Sequence, residues 1–153
     1  MNSNRKSMIA GNIIPAIISV IVLTFIDQIS KYIIDSNLSL YSSIPLIPDV
    51  FEIHYIRNAG MAWGLFQNRQ IFFYILTIIV LLFGIFIYTK CLKYNSYKDI
   101  RVLIIIISSG AIGNFIDRLR FQYVIDFLYF KLINFPVFNI ADCYVTIGVF
   151  CLL

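Results

Sequence analysis

Histidine is almost missing from this chain: His54 is the only one among 153 residues. That one absence removes whole classes of chemistry. Without H-E-x-x-H or a Cys/His set, a zinc hydrolase has no ligands. A Ser-His-Asp arrangement would need His54 beside a serine, yet Ser108 and Ser109 lie inside an apolar run and no G-x-S-x-G occurs. A cysteine protease has the same lack. The three cysteines, Cys91, Cys143 and Cys151, form no C-x-x-C and no disulfide framework, and read as small buried hydrophobes. Charge is scarce too, at 13% of residues, with only eight Asp and Glu.

What is present is apolar: 60% hydrophobic residues and a mean hydropathy of +0.86, above the half or so usual in soluble domains. This is the composition of an integral membrane protein, with room for one domain over residues 1–153. In such a chain the position of the basic residues matters more than the net charge of +4, so no nucleic-acid partner is inferred.

Four apolar runs are long enough to be read as transmembrane helices, over about 13–34, 70–90, 100–116 and 139–153. The first follows Arg5 and Lys6 but lacks a small-x-small cleavage site and leads directly into Asp27 and Lys31, so it reads as a retained span. Pro15 is expected in its first turn. Asp27 and Lys31 stand at i, i+4 on one face, either as a self-contained ion pair or as part of a site. Between the first two spans, Pro45 and Pro48 break helix and Phe51-Glu52-Ile53-His54-Tyr55-Ile56 alternates, so a small β element is expected over about 45–66. Asn58 and Gly60 tolerate a turn, and Trp63 suits the membrane interface. Gly110 and Gly113, near the end of the third span, permit close helix approach or a loosened helix end. The fourth span is short, roughly 18 Å of helix.

Under the positive-inside rule, Arg5 and Lys6 and the Lys-rich stretch between the second and third spans are cytoplasmic, and so are both termini. The sections 35–70 and 117–138 then share the outer side. Asp27, Lys31, Asn58, Asn114, Asp117, Arg118, Asp126, Asn139 and Asp142 gather in one layer. An ionisable residue beside lipid-soluble segments marks a functional site by default.

Carboxylates and carboxamides are what the layer offers. Two carboxylates held close in a low-dielectric site share one proton, and one can activate water while the other donates to the substrate. Asn114, Asp117 and Arg118 lie on one face of the third span, with Asp117-Arg118 readable as an ion pair at the helix end. Asn139 and Asp142 read equally as an N-cap with its N3 partner. Asp126 sits in Tyr123-Val124-Ile125-Asp126-Phe127-Leu128, apolar on both sides. Spacing leaves open which of Asp117, Asp126 and Asp142 are catalytic. It also leaves open a small proton-coupled transporter, with Asp and Lys as a relay, or a non-catalytic lipid-binding subunit.

Five stretches, in order, narrow the choice: Asp27-Gln28-Ile29-Ser30-Lys31, Arg57-Asn58-Ala59-Gly60-Met61-Ala62-Trp63-Gly64, Gly113-Asn114-Phe115-Ile116-Asp117-Arg118, Val124-Ile125-Asp126-Phe127 and Phe138-Asn139-Ile140-Ala141-Asp142. Together with four spans, the chain resembles the bacterial lipoprotein signal peptidases (signal peptidase II) over nearly its whole length. The resemblance implies an otherwise all-α aspartic endopeptidase of four transmembrane helices with a small extracytoplasmic β-cradle. It would reside in the cytoplasmic membrane, act as a monomer without cofactor or metal, and cleave prolipoproteins just before a diacylglyceryl-modified cysteine. It implies Asp126 and Asp142 as the catalytic dyad. Asp27, Lys31, Asn58, Gly113, Asn114, Arg118 and Asn139 would support or line the site, and Asp117, Gly60 and Trp63 would be structural near it. Globomycin-type peptides would occupy the same site. Met61 replaces the small residue usual in its motif. Relatives usually carry a longer fourth helix and a basic tail, a difference that bears on anchoring rather than chemistry.

Overall fold

The computed structural model describes residues 3–60, 66 and 69–153. Trp63 and Met61 lie outside the described residues. The apolar runs become helices: α1 (Ser3–Asn37), α2 (Gln70–Cys91), α3 (Lys98–Phe121) and the shorter α4 (Ile140–Phe150). Segments Gly11–Asn37, Gln70–Cys91 and Lys98–Phe121 are long and apolar enough to cross a membrane, whereas Ile140–Phe150 is apolar but shorter. Because α1 begins at Ser3, Pro15 falls inside it rather than in its first turn. There it removes one backbone hydrogen bond of the helix.

The end of α3 is set by Gln122, which adopts the left-handed conformation (φ 64°) and donates its backbone N–H to the Arg118 carbonyl. This carries α3 a turn beyond the apolar run and makes Asn114, Asp117 and Arg118 helical. Arg101 donates to the carbonyls of Cys91 and Tyr94, at 3.0 and 3.1 Å, closing the end of α2 and the short link to α3.

Three strands form one antiparallel sheet in the order β1 (Ser43–Ile47), β2 (Phe51–Asn58), β3 (Val124–Phe130). β2 covers the alternating Phe51–Ile56 stretch, and β1 begins at Ser43, ahead of the two prolines. β3 lies outside the β section expected from the sequence. Its sequence, VIDFLYF, does not alternate, because its first four residues are all buried. A strand covered on both faces reads as a continuous apolar run. The β2–β3 register sets Ile56 opposite Asp126 and Asn58 opposite Val124, with an irregularity between Ile53 and Ile56. Tyr55 of β2 and Ile125 and Phe127 of β3 form a buried core, packed against Ile34 of α1, Leu38 just past its end, Phe121 of α3 and Ile140 of α4.

Helix α3 is the central post, in contact with α1, α2 and α4. A Cβ at Gly110 would run into the backbone carbonyl of Ala141, and one at Gly113 into the Asp27 carboxylate. Both glycines therefore serve close approach. The outward faces of α1 and α2 carry Ile17, Ile21, Phe25, Ile75, Ile79 and Phe83, all exposed. A belt of this kind suits lipid.

Candidate active site

Asp126 and Asp142 arrive from different elements, β3 and the first turn of α4, and meet at Asn139. Asn139 is the N-cap of α4: its Oδ1 accepts the Asp142 N–H at 2.9 Å, and its own N–H donates to Asp142 Oδ2 at 3.1 Å. This reciprocal capping box satisfies two helix-end donors. The remaining group, Nδ2, donates to Asp126 Oδ1 at 2.6 Å. One buried residue thus holds both carboxylates, and the capping and site readings of Asn139-Asp142 hold together rather than compete.

The outer oxygens are held as well. Asn58 Nδ2 donates to Asp126 Oδ2 at 2.8 Å, and Asn58 Oδ1 accepts the Gly60 N–H at 2.9 Å, which orients the amide. Asn114 Nδ2 donates to Asp142 Oδ1 at 2.7 Å. Its Oδ1 accepts from Asn139 Nδ2 at 3.1 Å and Lys31 Nζ at 3.0 Å. Asp126 is only 2% exposed, and burial first, then the Asp142 carboxylate, pushes its pKa up from 3.8 to about 7. The neighbouring Asp142 carboxylate thus favours the protonated form of Asp126.

Behind this pair lies a second, drier cluster. Lys31, at 1% exposure, pairs with Asp27 Oδ2 at 2.9 Å and Asp117 Oδ2 at 3.1 Å. Asp117 therefore pairs with Lys31, not with Arg118 beside it in sequence. Gln28, not among the site residues expected from the sequence, donates to Asp117 Oδ1 at 2.8 Å, the Gly113 carbonyl at 3.1 Å and Asp27 Oδ2 at 3.3 Å. Its signal in the sequence was a carboxamide beside Asp27 and Lys31 in an apolar helix.

Arg118 lies over the Phe73 ring, 4.3 Å from its centroid, and reaches the Asn114 carbonyl at 3.5 Å and the Gly60 carbonyl at 3.4 Å. It links α3 to the turn after β2. Gln70 joins the same region, donating to the carbonyls of Ala59 and Gln122. His54 stands apart on β2, its Nδ1 2.7 Å from Ser43 Oγ. No set of three metal-ligand side chains gathers among the described residues.

Apolar helices carrying buried, amide-bound carboxylates at one end of their bundle define a membrane-embedded protein built around an acidic site. The comparisons with known proteins make that more specific. The family model of signal peptidase (SPase) II matches residues 19–153. The chain is 40% identical over 137 residues to a lipoprotein signal peptidase of Streptococcus pyogenes serotype M1, covering 90% of this chain and 89% of that one. It is equally identical over 136 residues to that of serotype M5 (strain Manfredo), covering 89% and 88%. Among solved structures it is similar to two bacterial membrane enzymes determined by the in meso method, at 2.3 and 1.9 Å resolution. The TM-scores are 0.82 and 0.79, each at 34% identity and 92% of this chain, covering 86% and 91% of those chains. The chain belongs to the signal peptidase II family, and is a membrane-bound protease of that type.

Proposed function

We propose that this chain removes the signal peptide from prolipoproteins, cutting just before a diacylglyceryl-modified cysteine, with Asp126 and Asp142 as an aspartic dyad. The observation that carries the dyad is Asn139, which donates from its side chain to one carboxylate and from its backbone to the other. In the proposed reaction Asp126, the more buried acid, holds the shared proton. Asp142 takes a proton from a water, and the hydroxide so formed adds to the scissile carbonyl while Asp126 protonates its oxygen. The proton held by Asp142 then passes to the leaving amine as the carbon–nitrogen bond breaks, and one hydroxyl of the intermediate returns its proton to Asp126 as the carbonyl re-forms. Asn58, Asn114 and Asn139 hold the carboxylates in place throughout, since a displacement of about 1 Å can cost about 10²-fold in rate.

The four helices would all span the membrane, with both termini cytoplasmic and the sheet lying as a cradle on the outer surface, as a single peptidase domain. The acyl chains of the substrate would fix its cysteine at that surface, at the depth of the dyad. Globomycin-type peptides would compete for the site, and no cofactor or metal is needed. A proton-relay transporter would spread carboxylates across the bilayer, whereas these gather at one end of the bundle. The test is a gel-shift assay on a prolipoprotein with and without prior lipidation of its cysteine. Cleavage of the lipidated form alone is expected; no shift in either lane would refute the proposal.

A further inference from the structure

The ammonium of Lys31 has three N–H donors, and three acceptors surround it: Asp27, Asp117 and Asn114, at 2.9, 3.1 and 3.0 Å. Each acceptor passes the connection on toward the dyad by a different route. Asp27 Oδ1 accepts the backbone N–H of Ala141 at 2.9 Å, and Ala141 immediately precedes Asp142. Asp117 Oδ2 accepts the backbone N–H of Ile125 at 3.2 Å, and Ile125 immediately precedes Asp126. Asn114, whose oxygen is turned toward Lys31, thereby presents its Nδ2 to Asp142 Oδ1 at 2.7 Å. One cation on α1 thus reaches the backbone before each dyad residue and the side chain of one of them.

A fold needing only a satisfied charge would not require this pattern. An ion pair between Lys31 and Asp27, four residues apart on one helix, would neutralise both groups locally. Instead Asp27 and Asp117 each use an oxygen on a peptide N–H of α4 or β3, the two elements that deliver the dyad. The buried cluster holds two carboxylates against one ammonium, an expensive arrangement in a dry interior unless every donor and acceptor is used.

We infer that Lys31 is a positioning residue for the cleavage reaction, setting the separation of Asp126 and Asp142 through Asp27, Asp117 and Asn114. The inference rests on the proposed dyad. Lys31 touches neither dyad carboxylate directly in the bonding described above. Its loss is therefore expected to slow the chemical step and leave substrate binding alone.

The test uses the full-length enzyme in lipid nanodiscs, with a diacylglyceryl-modified peptide as substrate. Lys31→Met keeps the side-chain length and removes the ammonium. Lys31→Met/Asp117→Asn removes one charge of each sign, so the net charge of the cluster is conserved and an acceptor remains for the Ile125 N–H. The expected result is a folded variant, single or double, with kcat lowered at least about 100-fold and KM within about threefold of the parent. A folded variant with parental kcat overturns the inference, and so does a variant whose loss lies in KM. If neither variant folds, Lys31 is a folding residue and the positioning role is likewise overturned. Asp126→Asn and Asp142→Asn in the same assay separate the two claims. Full cleavage by either of them sinks the dyad itself, whereas loss in both beside a fully active Lys31 variant sinks only the positioning role.

Discussion

Asp27 and Ala141 are 114 residues apart in sequence, yet the carboxylate of the first accepts the backbone N–H of the second at 2.9 Å. The bond enters the first turn of α4, where helix N–H groups lack partners within the helix. It works only because Gly113 has no Cβ: a methyl group there would meet the Asp27 carboxylate and lie 3.2 Å from the Ala141 Cβ. Three elements thus close on one another around a carboxylate that is fully buried.

The glycine contacts separate two substitutions that look alike in sequence. Gly110→Ala drives a Cβ into the Ala141 carbonyl and against Val145 and Tyr144, so α3 and α4 must part. A loss of about 1–3 kcal/mol in stability is expected. At Gly84 the nearest atoms, of Ile104 and Ser108, are 3.5 Å away, an ordinary contact. Gly84→Ala should be neutral or stabilising by up to about 1 kcal/mol through helix propensity. Thermal unfolding in detergent, read side by side, checks the contrast.

Asp117→Ala should act mainly on stability. It strips Lys31 of one counter-ion, leaves the Ile125 N–H without its acceptor and frees Gln28 Nε2 from its shortest contact. Breaking a buried pair from one side costs about 3–5 kcal/mol. Low yield and a depressed melting temperature are expected from a purified preparation. A variant as stable as the parent would contradict this assignment of Asp117.

Cleavage should fall on the alkaline side. Asp126 is raised from 3.8 to about 7 by burial and by Asp142. Below about 7 it keeps its proton and can donate; above, that proton is lost and kcat/KM should decline about tenfold per pH unit. The same shift bears on folding with a definite sign. A carboxylate raised in the folded state stabilises least when ionised, so its contribution falls as pH rises from 3.8 to about 7 and is level beyond. Asp126→Asn should flatten that segment of the stability profile. Rates and melting points measured from pH 5 to 9 test both.

Parts of this arrangement were readable in the chain and parts were not, for identifiable reasons. The apolar runs gave the helices because bilayer thickness fixes their length, and Phe51 to Ile56 gave β2 through its alternation of apolar and polar residue types, although Glu52 is buried along with Tyr55. The i, i+3 spacing of Asn139 and Asp142 gave the cap, since capping is a local interaction. β3 was hidden because burial of Val124, Ile125, Asp126 and Phe127 erases the alternation that marks a strand. The partner of Asp117 was hidden because Arg118 is adjacent in sequence, whereas Lys31 is brought in only by the packing of α1 against α3. Which carboxylates pair came from family resemblance, not from spacing. The bond from Asn139 to Asp126, by contrast, is a tertiary contact that no local pattern encodes.

The central claim is that Asp126 and Asp142 together perform the cleavage. Its most direct test is single-turnover cleavage of a diacylglyceryl prolipoprotein by Asp126→Asn and Asp142→Asn, each first verified as folded by its thermal melt. The account predicts that each variant loses at least about 10³-fold in rate, and that the double variant is no worse than either single, as expected of groups that act as a unit. Parental cleavage by either single variant would contradict it.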